Sequence, residues 1–527
     1  MTAHKFTFFS IYIIKEFILK SLFKTVFVIT GFAVITRLLG FVFRIYLSRM
    51  LGAEALGLYQ VSLSVFMVLL TIVASGLPLV ISKLSAKFFT KKDEESEAKL
   101  VSASLIISIV SSLILIGIVL VFKNLFSLLF TDERCYPILI VMLPAVLFSG
   151  VYNVFRGAMW GHSNYFGYCI TELFEQIVRI TLCVFMLTFG FLSLSPSISA
   201  GLSLSIACFL SMIFSIVLYF IYGGRLKKPG KIYKEVLKTS TPITAVRFLS
   251  SLVQPIIALI IPSRLIACGY TTAQAMSIYG IAIGMTMPLL FIPITLVGSL
   301  STALIPDLSA SVCTDDTKNI NSKITSSLVF SLFIAFLMVP LFIGAGENIG
   351  QFFFGNVTSG ALLSSSAWIS VPMAITTISS SMLNALGMEV KSFINYLVGS
   401  VFLFVSIWFL PALIGIKALV VGMGLCVSVT SVLNVLMIKR KLKIKLGILK
   451  PLCLMALFTL PSASITFFVT NLLEGVLPLF FNLAVSCTVG AGMFVLLCGI
   501  FNLINFKGMF VEAKKLKFKK LSFKKKK

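Results

Sequence analysis

Four arginines stand inside stretches of sequence that are otherwise almost wholly apolar: Arg37, Arg44, Arg179 and Arg247. A charged side chain at the centre of a bilayer costs roughly 2.5–3.5 kcal/mol on insertion scales, so such residues face a partner or a water-filled space. Arg37 and Arg44 are seven residues apart and share one helical face, with Arg49 further along near the end of the same run. Arg247 has Gln254 seven residues on, and Arg264 closes its run. Glu172, Glu175 and Arg179 follow one another at spacings of three and four, which sets them on one helical stripe. Guanidinium forks match the geometry of phosphate and carboxylate, so an arginine-rich cavity predicts an anionic substrate. A transporter of organic cations would instead want buried carboxylates, and acidic residues are few here, 18 against 44 basic ones. A structural reading stays open beside this one. The 172–179 triad would equally serve as a static ion network joining helices, Arg37 and Arg44 as snorkelling or paired residues, and Arg264 as an interface anchor.

The elements that position these residues follow from hydropathy. Hydrophobic residues make up 58% of the 527 and charged ones only 12%, far below a soluble domain, so lipid is the natural solvent for most of the chain. Apolar runs near the ~20 residues that a bilayer demands lie at roughly 25–48, 56–82, 101–122, 136–159, 165–190, 198–222, 239–262, 276–304, 324–345, 362–387, 392–411, 416–438, 449–470 and 476–503. The fold class is therefore all-α, a polytopic integral membrane protein of about 14 transmembrane helices. Prolines 288 and 293 predict kinks in the eighth run.

Lysine and arginine should concentrate on the cytoplasmic side. With both termini inside, the N-terminus, the even-numbered connections and the tail hold 35 of the 44 basic residues, Arg156 counted with the connection between runs 4 and 5. The odd connections hold five: Arg49, Lys123, Arg134, Arg264 and Lys417. The expected organisation is a cytoplasmic interfacial segment, 1–24, without a cleavable signal pattern, then a six-helix half, 25–222. A basic cytoplasmic linker, 223–238, a second six-helix half, 239–438, two further helices, 449–503, and a basic tail, 507–527, complete it. Duplicated halves around a central cavity are a common transporter plan, and this cavity would be lined by runs 1 and 7 and faced by run 5.

The net charge of +26 suggests nucleic acid at first sight, but the lysines flank apolar runs, where they mark topology and meet anionic lipid headgroups. Ten singly scattered cysteines show neither zinc spacing nor a disulfide framework. With only His4 and His162, a histidine metal site or a serine–histidine triad has almost no material. The chain is expected to be no enzyme and to carry neither metal nor cofactor, and a Gly-Lys-Ser/Thr nucleotide loop is lacking.

Several segments resemble one family. Thr36-Arg37-Leu38-Leu39-Gly40-Phe41, Arg44, Leu47-Ser48-Arg49 and Gly52-Ala53-Glu54-Ala55-Leu56-Gly57-Leu58-Tyr59-Gln60 look like the opening of the stage V sporulation protein B family. Arg156-Gly157, Gly161, Glu175-Gln176 and Arg179 follow in order, then Ile261-Pro262-Ser263-Arg264-Leu265 and Gly269-Tyr270. Tyr279-Gly280, Gly284-Met285, Pro288-Leu289, Ala303-Leu304-Ile305-Pro306 and Gly415-Ile416-Lys417-Ala418 continue the series, so the resemblance runs over about residues 20–505. It implies a flippase of the multidrug/oligosaccharidyl-lipid/polysaccharide (MOP) superfamily in the plasma membrane. Such a protein moves undecaprenyl-pyrophosphate-linked glycans outward by alternating access, for peptidoglycan, spore cortex or another surface polysaccharide. Arg37, Arg44, Arg247 and Gln254 are then expected to hold the substrate, with Arg49, Glu54, Glu172, Glu175, Arg179 and Arg264 as the surrounding cavity and gating network. Two rival readings are an ion-coupled multidrug antiporter on the same fold, and a non-transporting membrane subunit that recruits cell-wall synthases.

Overall fold

In lipid a backbone amide has no partner but its own helix, and the chain is helical almost throughout. The computed structural model describes residues 3–503 apart from 191–193, 231, 314–316, 443–445 and 502. Side chains are described from residue 29 on, those of 300, 302–303, 305–307 and 309–319 excepted. The expected tail 507–527 lies outside the described residues. By packing, the chain divides into two units, 1–280 and 281–527.

The first unit holds α1 (Ala3–Ala74), α2 (Leu77–Thr90), α3 (Glu94–Val121), α4 (Lys123–Leu129), α5 (Cys135–Met142), α6 (Pro144–Gly161), α7 (Tyr165–Thr188), α8 (Pro196–Ile221), α9 (Ile232–Ser251), α10 (Val253–Ala267) and α11 (Thr272–Tyr279). The interfacial segment 1–24 is, from Ala3 on, the start of α1. The connection expected between runs 1 and 2 is a kink inside α1 at Gly52, whose φ of 74° only glycine adopts without strain. Runs 2, 4 and 7 are each broken: at Ser75–Gly76 before Pro78, at Leu143 before Pro144, and at Leu252. Local side chains set the helix starts. Asp93 accepts from the Ser96 amide at 3.0 Å to open α3, with Glu94, Glu95 and Glu97 in its first turn; Asn164 accepts from Gly167 at 2.9 Å to open α7. The hydrogen bond from Ser96 holds the Asp93 carboxyl below the usual carboxylate range. Leu77, Val80, Ile81, Leu100, Val154, Phe155 and Ala158 form the core where α2, α3 and α6 meet. Glycine permits the closest approach in the unit: a Cβ on Gly57 would strike the Met276 carbonyl, and one on Gly280 the Ala53 carbonyl.

Polar contacts join the ends of the helices in two separate groups. Exposed pairs join the 94–99 segment to the 225–227 segment, Arg225 to Glu94 at 3.4 Å and Lys227 to Glu95 at 3.6 Å, and Glu97 meets His162. In the second group Arg134 pairs with Glu54 at 2.7 Å, and Ser197 donates to the Ala55 carbonyl at 2.9 Å.

A π-helical turn, Gly280–Thr286, leads from α11 to α12. Pro288 has no N–H to offer the Gly284 carbonyl, and the π turn takes up that defect just before the proline. The second unit holds α12 (Met287–Cys313), α13 (Thr317–Phe354), α14 (Val357–Ser366), α15 (Ser370–Ala385), α16 (Glu389–Phe409), α17 (Pro411–Ile414), α18 (Lys417–Leu442), α19 (Leu449–Leu472) and α20 (Leu479–Ile500). Its core gathers Leu328, Leu332, Ala335, Ala374, Ile378, Met382, Ile438, Met455 and Phe494. Buried polar groups there are neutral. Asn395 donates to Asn434 at 2.8 Å, and Asn434 in turn donates to Ser379 and Ser380 at 3.3 and 3.0 Å.

Twelve helical stretches among the described residues are long and apolar enough to cross a membrane. One of them, Ile29–Thr90, contains the Gly52 kink, and α7 is not among the twelve, since Glu172, Glu175 and Arg179 all fall within it.

Candidate functional site

The charged site is built on α7, which packs alongside α1 in the same direction. Phe166 stands edge-on to Phe32 at 5.8 Å, Gln176 Nε2 lies 3.6 Å from where a Cβ of Gly40 would sit, and Tyr46 bonds Thr188 at 3.3 Å. Gly40 sits three residues after Arg37 and four before Arg44, so the polar stripe of α7 runs beside the arginine face of α1.

At mid-helix, Arg179 Nη2 donates to Gln176 Oε1 at 2.6 Å and pairs with Glu175 at 3.4 Å. Arg44 lies in electrostatic reach of Arg179 and of Tyr59, a buried residue of α1 that Arg179 also reaches. Two guanidinium groups thus stand on neighbouring helices, and one of them is paired with a carboxylate. Arg37 is exposed on the same face as Arg44, and neither has a carboxylate partner among the described residues. One turn and more towards the start of α7, Glu172 does not join the Glu175–Arg179 pair. It accepts from Arg156 of α6 at 2.7 Å, and the Arg156 guanidinium rests over the rings of Tyr168, at 4.0 Å, and Tyr152, at 5.1 Å. The Nε–H groups of Arg156 and Arg179 are buried with no hydrogen-bond partner among the described residues.

Arg156 was expected as a topology charge in the connection between runs 4 and 5; it lies instead inside α6, largely buried and ion-paired. The stripe of Glu172, Glu175 and Arg179 exists, but it is shared between two partners rather than closed on itself. Arg247 of α9 donates to the Ser75 carbonyl at 2.8 Å, a group freed by the break before α2; no hydrogen bond or ion pair joins it to Arg37 or Arg44. Gln254 is exposed on α10, Arg49 is exposed on α1, and Arg264 is half-buried near the end of α10. Glu54 belongs to a separate cluster at the opposite end of α1's face. Arg134 Nη2 bridges Glu54, at 2.7 Å, and Asp132, at 2.8 Å, and Arg134 Nε also bonds Asp132. Burial alone would raise the Asp132 carboxyl, but the hydrogen bonds and charge of Arg134 outweigh it and hold the group below the usual carboxylate range. The same bonds, from Asp132 first and Glu54 second, raise the Arg134 guanidinium. Tyr59, Arg156, Tyr168 and Gln176 are the site residues that spacing did not single out.

The chain is thus a multi-pass helical membrane protein in which the arginine face of α1 lies beside the polar stripe of α7. The chain belongs to the polysaccharide biosynthesis protein family, whose sequence model matches residues 22–312. It is 30% identical over 298 residues to the stage V sporulation protein B of Bacillus subtilis (strain 168), which covers 54% of this chain and 58% of that protein. It is 26% identical over 369 residues to the lipid II flippase MurJ of the same organism, covering 64% of this chain and 66% of that one. Each match thus spans less than two thirds of the relative's length. Among solved structures, a lipid II flippase MurJ in an inward closed conformation superposes with a TM-score of 0.67 at 17% identity, over 90% of this chain and 98% of that one. An inward-facing multidrug resistance MATE family transporter of the MOP superfamily gives 0.65 at 17% identity, over 77% and 94%. The fold is that of MurJ and MATE proteins, and the family is one of membrane transporters rather than enzymes.

Proposed function

We propose that this chain is an alternating-access flippase that carries a glycan linked to undecaprenyl pyrophosphate from the inner to the outer leaflet of the plasma membrane. The observation that carries the reading is the packing of α1, with Arg37 and Arg44 on one face, alongside the Arg179 stripe of α7, within spans where a lone cation is costly. A pyrophosphate supplies the missing negative charge and the paired oxygens that guanidinium forks fit. Arg37, Arg44 and Arg247, with Gln254, are proposed to hold it. Arg49, Glu54, Glu172, Glu175, Arg179 and Arg264 act around them as cavity and gating residues, and the polyprenyl tail stays in lipid. The fold matches both MurJ and MATE proteins, and the balance of charge favours an anionic glycolipid over a cationic drug. Peptidoglycan or spore cortex precursor is the proposed cargo class, from the relation to stage V sporulation protein B.

The proposed topology has fourteen spans, two six-helix halves divided at 223–238 and two added helices. It reads Ile29–Thr90 as two spans across Gly52 and adds α7. The parallel course of α1 and α7 suits spans 1 and 5, both odd. With both termini cytoplasmic, the basic even connections lie along the anionic inner leaflet. Each negative charge moved outward across an inside-negative potential then gains ~2.3 kcal/mol per 100 mV.

The test is flipping in proteoliposomes, with a lipid-linked glycan and a cationic drug supplied in parallel. The glycolipid should move and the drug should not. Arg44→Ala should slow flipping about tenfold to a hundredfold, the worth of a charge-assisted contact, while abundance stays near that of the native chain. Arg44→Lys should recover little, because it keeps the charge and loses the fork. Transport of the drug alone, or an Arg44→Ala protein that flips at the native rate, overturns the proposal.

A further inference from the structure

The start of α7 and the end of α6 carry an aromatic cluster that anion binding does not use. Trp160 stands edge-on to Tyr165, at 5.0 Å and 84°, and to Tyr168, at 4.6 Å and 69°, so three rings from two helices meet at one point. Tyr168 is pinned from another side by the Arg156 guanidinium, which is itself held by Glu172. The cluster is open rather than packed away. Trp160 is 37% exposed and Tyr165 and Tyr168 are partly so. The indole N–H of Trp160 makes no hydrogen bond among the described residues, and Glu172 uses one carboxylate oxygen on Arg156 while keeping 44% of its side chain exposed.

An aromatic cage beside a carboxylate ordinarily suits an organic cation. Here that place is taken: Arg156 sits on the Tyr168 ring and neutralises Glu172. What remains is a set of ring surfaces with one free acceptor and one free donor at its rim, and no net charge. A pyranose ring fits that description, with C–H faces that stack on aromatic rings and hydroxyls that both donate and accept. A bare acyl chain would leave the carboxylate without use.

Position connects the cluster to the arginines. Tyr168, Glu172, Glu175 and Arg179 climb successive turns of one stripe, and Arg179 stands at its top on the helix packed alongside the arginine face of α1. Eleven residues of helix separate Tyr168 from Arg179, about 16 Å along the axis, which leaves room for a short glycan between ring cluster and anion site.

We propose that Trp160, Tyr165 and Tyr168, with Glu172 at the rim, form a stacking subsite for a sugar ring of the transported headgroup. This rests on the lipid-linked-glycan reading and adds a determinant for the glycan itself. The orienting part belongs to Arg156, which fixes Tyr168 and spends the charge of Glu172.

The chain has three tryptophans, so Trp368→Phe with Trp408→Phe leaves Trp160 as the sole indole reporter in the full-length protein. Two short-chain prenyl diphosphate probes are compared, one bearing an N-acetylhexosamine disaccharide and one without sugar. Both should bind, and only the glycosylated one should change Trp160 emission. Trp160→Ala should weaken the glycosylated probe about tenfold, the worth of one stacking contact, and leave the bare diphosphate unchanged. Trp160→Phe, which keeps a ring, should restore most of the difference and guards against a folding artefact. If both probes bind with Trp160 emission and affinity indifferent to the sugar, the subsite is overturned and Trp160 is an interfacial anchor only, while the flippase reading stands. If a cationic dye changes the emission and the glycosylated probe does not, the cluster is a cation site and the proposal fails. If neither probe binds, the flippase reading falls and the subsite with it.

Discussion

Breaking the Arg156–Glu172 pair from its two sides should cost unequal amounts, because the partners differ in access to water. Arg156 has 11% of its side chain exposed and Glu172 has 44%, across a contact of 2.7 Å. Glu172→Leu strands a guanidinium that water barely reaches. One-sided loss of a buried pair costs about 3–5 kcal/mol, and the lower end, about 3, applies because the Tyr168 ring stays in place. Arg156→Met strands a carboxylate that water can resolvate, so the ion pair itself is worth about 0–1 kcal/mol from this side. Loss of the ring contact adds about 1 kcal/mol, for a total of about 1.5. The double variant has no orphaned charge and should match Arg156→Met in stability or exceed it, a coupling of about 3 kcal/mol. At roughly 2 °C per kcal/mol, the unfolding midpoints of detergent-purified protein should fall by about 6 °C for Glu172→Leu and about 3 °C for Arg156→Met and the double variant. An Arg156→Met protein less stable than Glu172→Leu, or a double variant in which the losses simply add, would refute the reasoning.

The Asp132–Arg134–Glu54 cluster carries a dependence on pH. Asp132 is held below its unfolded pKa of roughly 4, so its contribution is complete above that value and is lost as pH falls through the lower folded value. Native protein should therefore lose midpoint temperature as pH falls below about 4, while Asp132→Asn starts lower at neutral pH and converges with it in acid; parallel curves would remove the cluster from the acid response. Sidedness is tested by thiol labelling of Lys228→Cys and Glu474→Cys, both at exposed positions. An impermeant reagent should modify position 474 in intact cells and position 228 only after permeabilisation, and the reverse pattern would invert the proposed orientation.

Hydropathy and the basic alternation made the membrane class legible because both are sums over many residues, and no single residue could spoil them. The breaks at Ser75–Gly76, Leu143 and Leu252 were not legible in the same way. A hydropathy window does not register backbone dihedrals, although Pro78 and Pro144 stood in the sequence as signals. The Glu172, Glu175 and Arg179 stripe could be read from helical spacing, yet its partners could not, since the choice between Glu175 and Arg156 is made by tertiary packing. Arg156 itself was misassigned for a definite reason. A lone arginine near the end of an apolar run carries the same mark as a positive-inside residue. What set it apart was its own helical face, with Tyr152 four residues before and Trp160 four after, an aromatic frame that a purely topological charge has no need of.

The distribution of charge narrows where recognition of an anion can occur. The ion pairs described above all lie between residues 54 and 227, and the arginines Arg37, Arg44, Arg156 and Arg179 stand in the same unit. In the second unit the buried polar chemistry of α15, α16 and α18 is the neutral Asn395–Asn434–Ser379 network, which can fix helix packing but offers no charge to a phosphate. On the proposed function, a pyrophosphate would depend on the arginines of α1, α7 and α9 in the first unit. Substitutions at Asn395 or Asn434 should act through stability, and substitutions at Arg44 through transport. Were an Asn434→Ala protein to keep its abundance and yet lose flipping as fully as Arg44→Ala, the assignment of recognition to the first unit would fail.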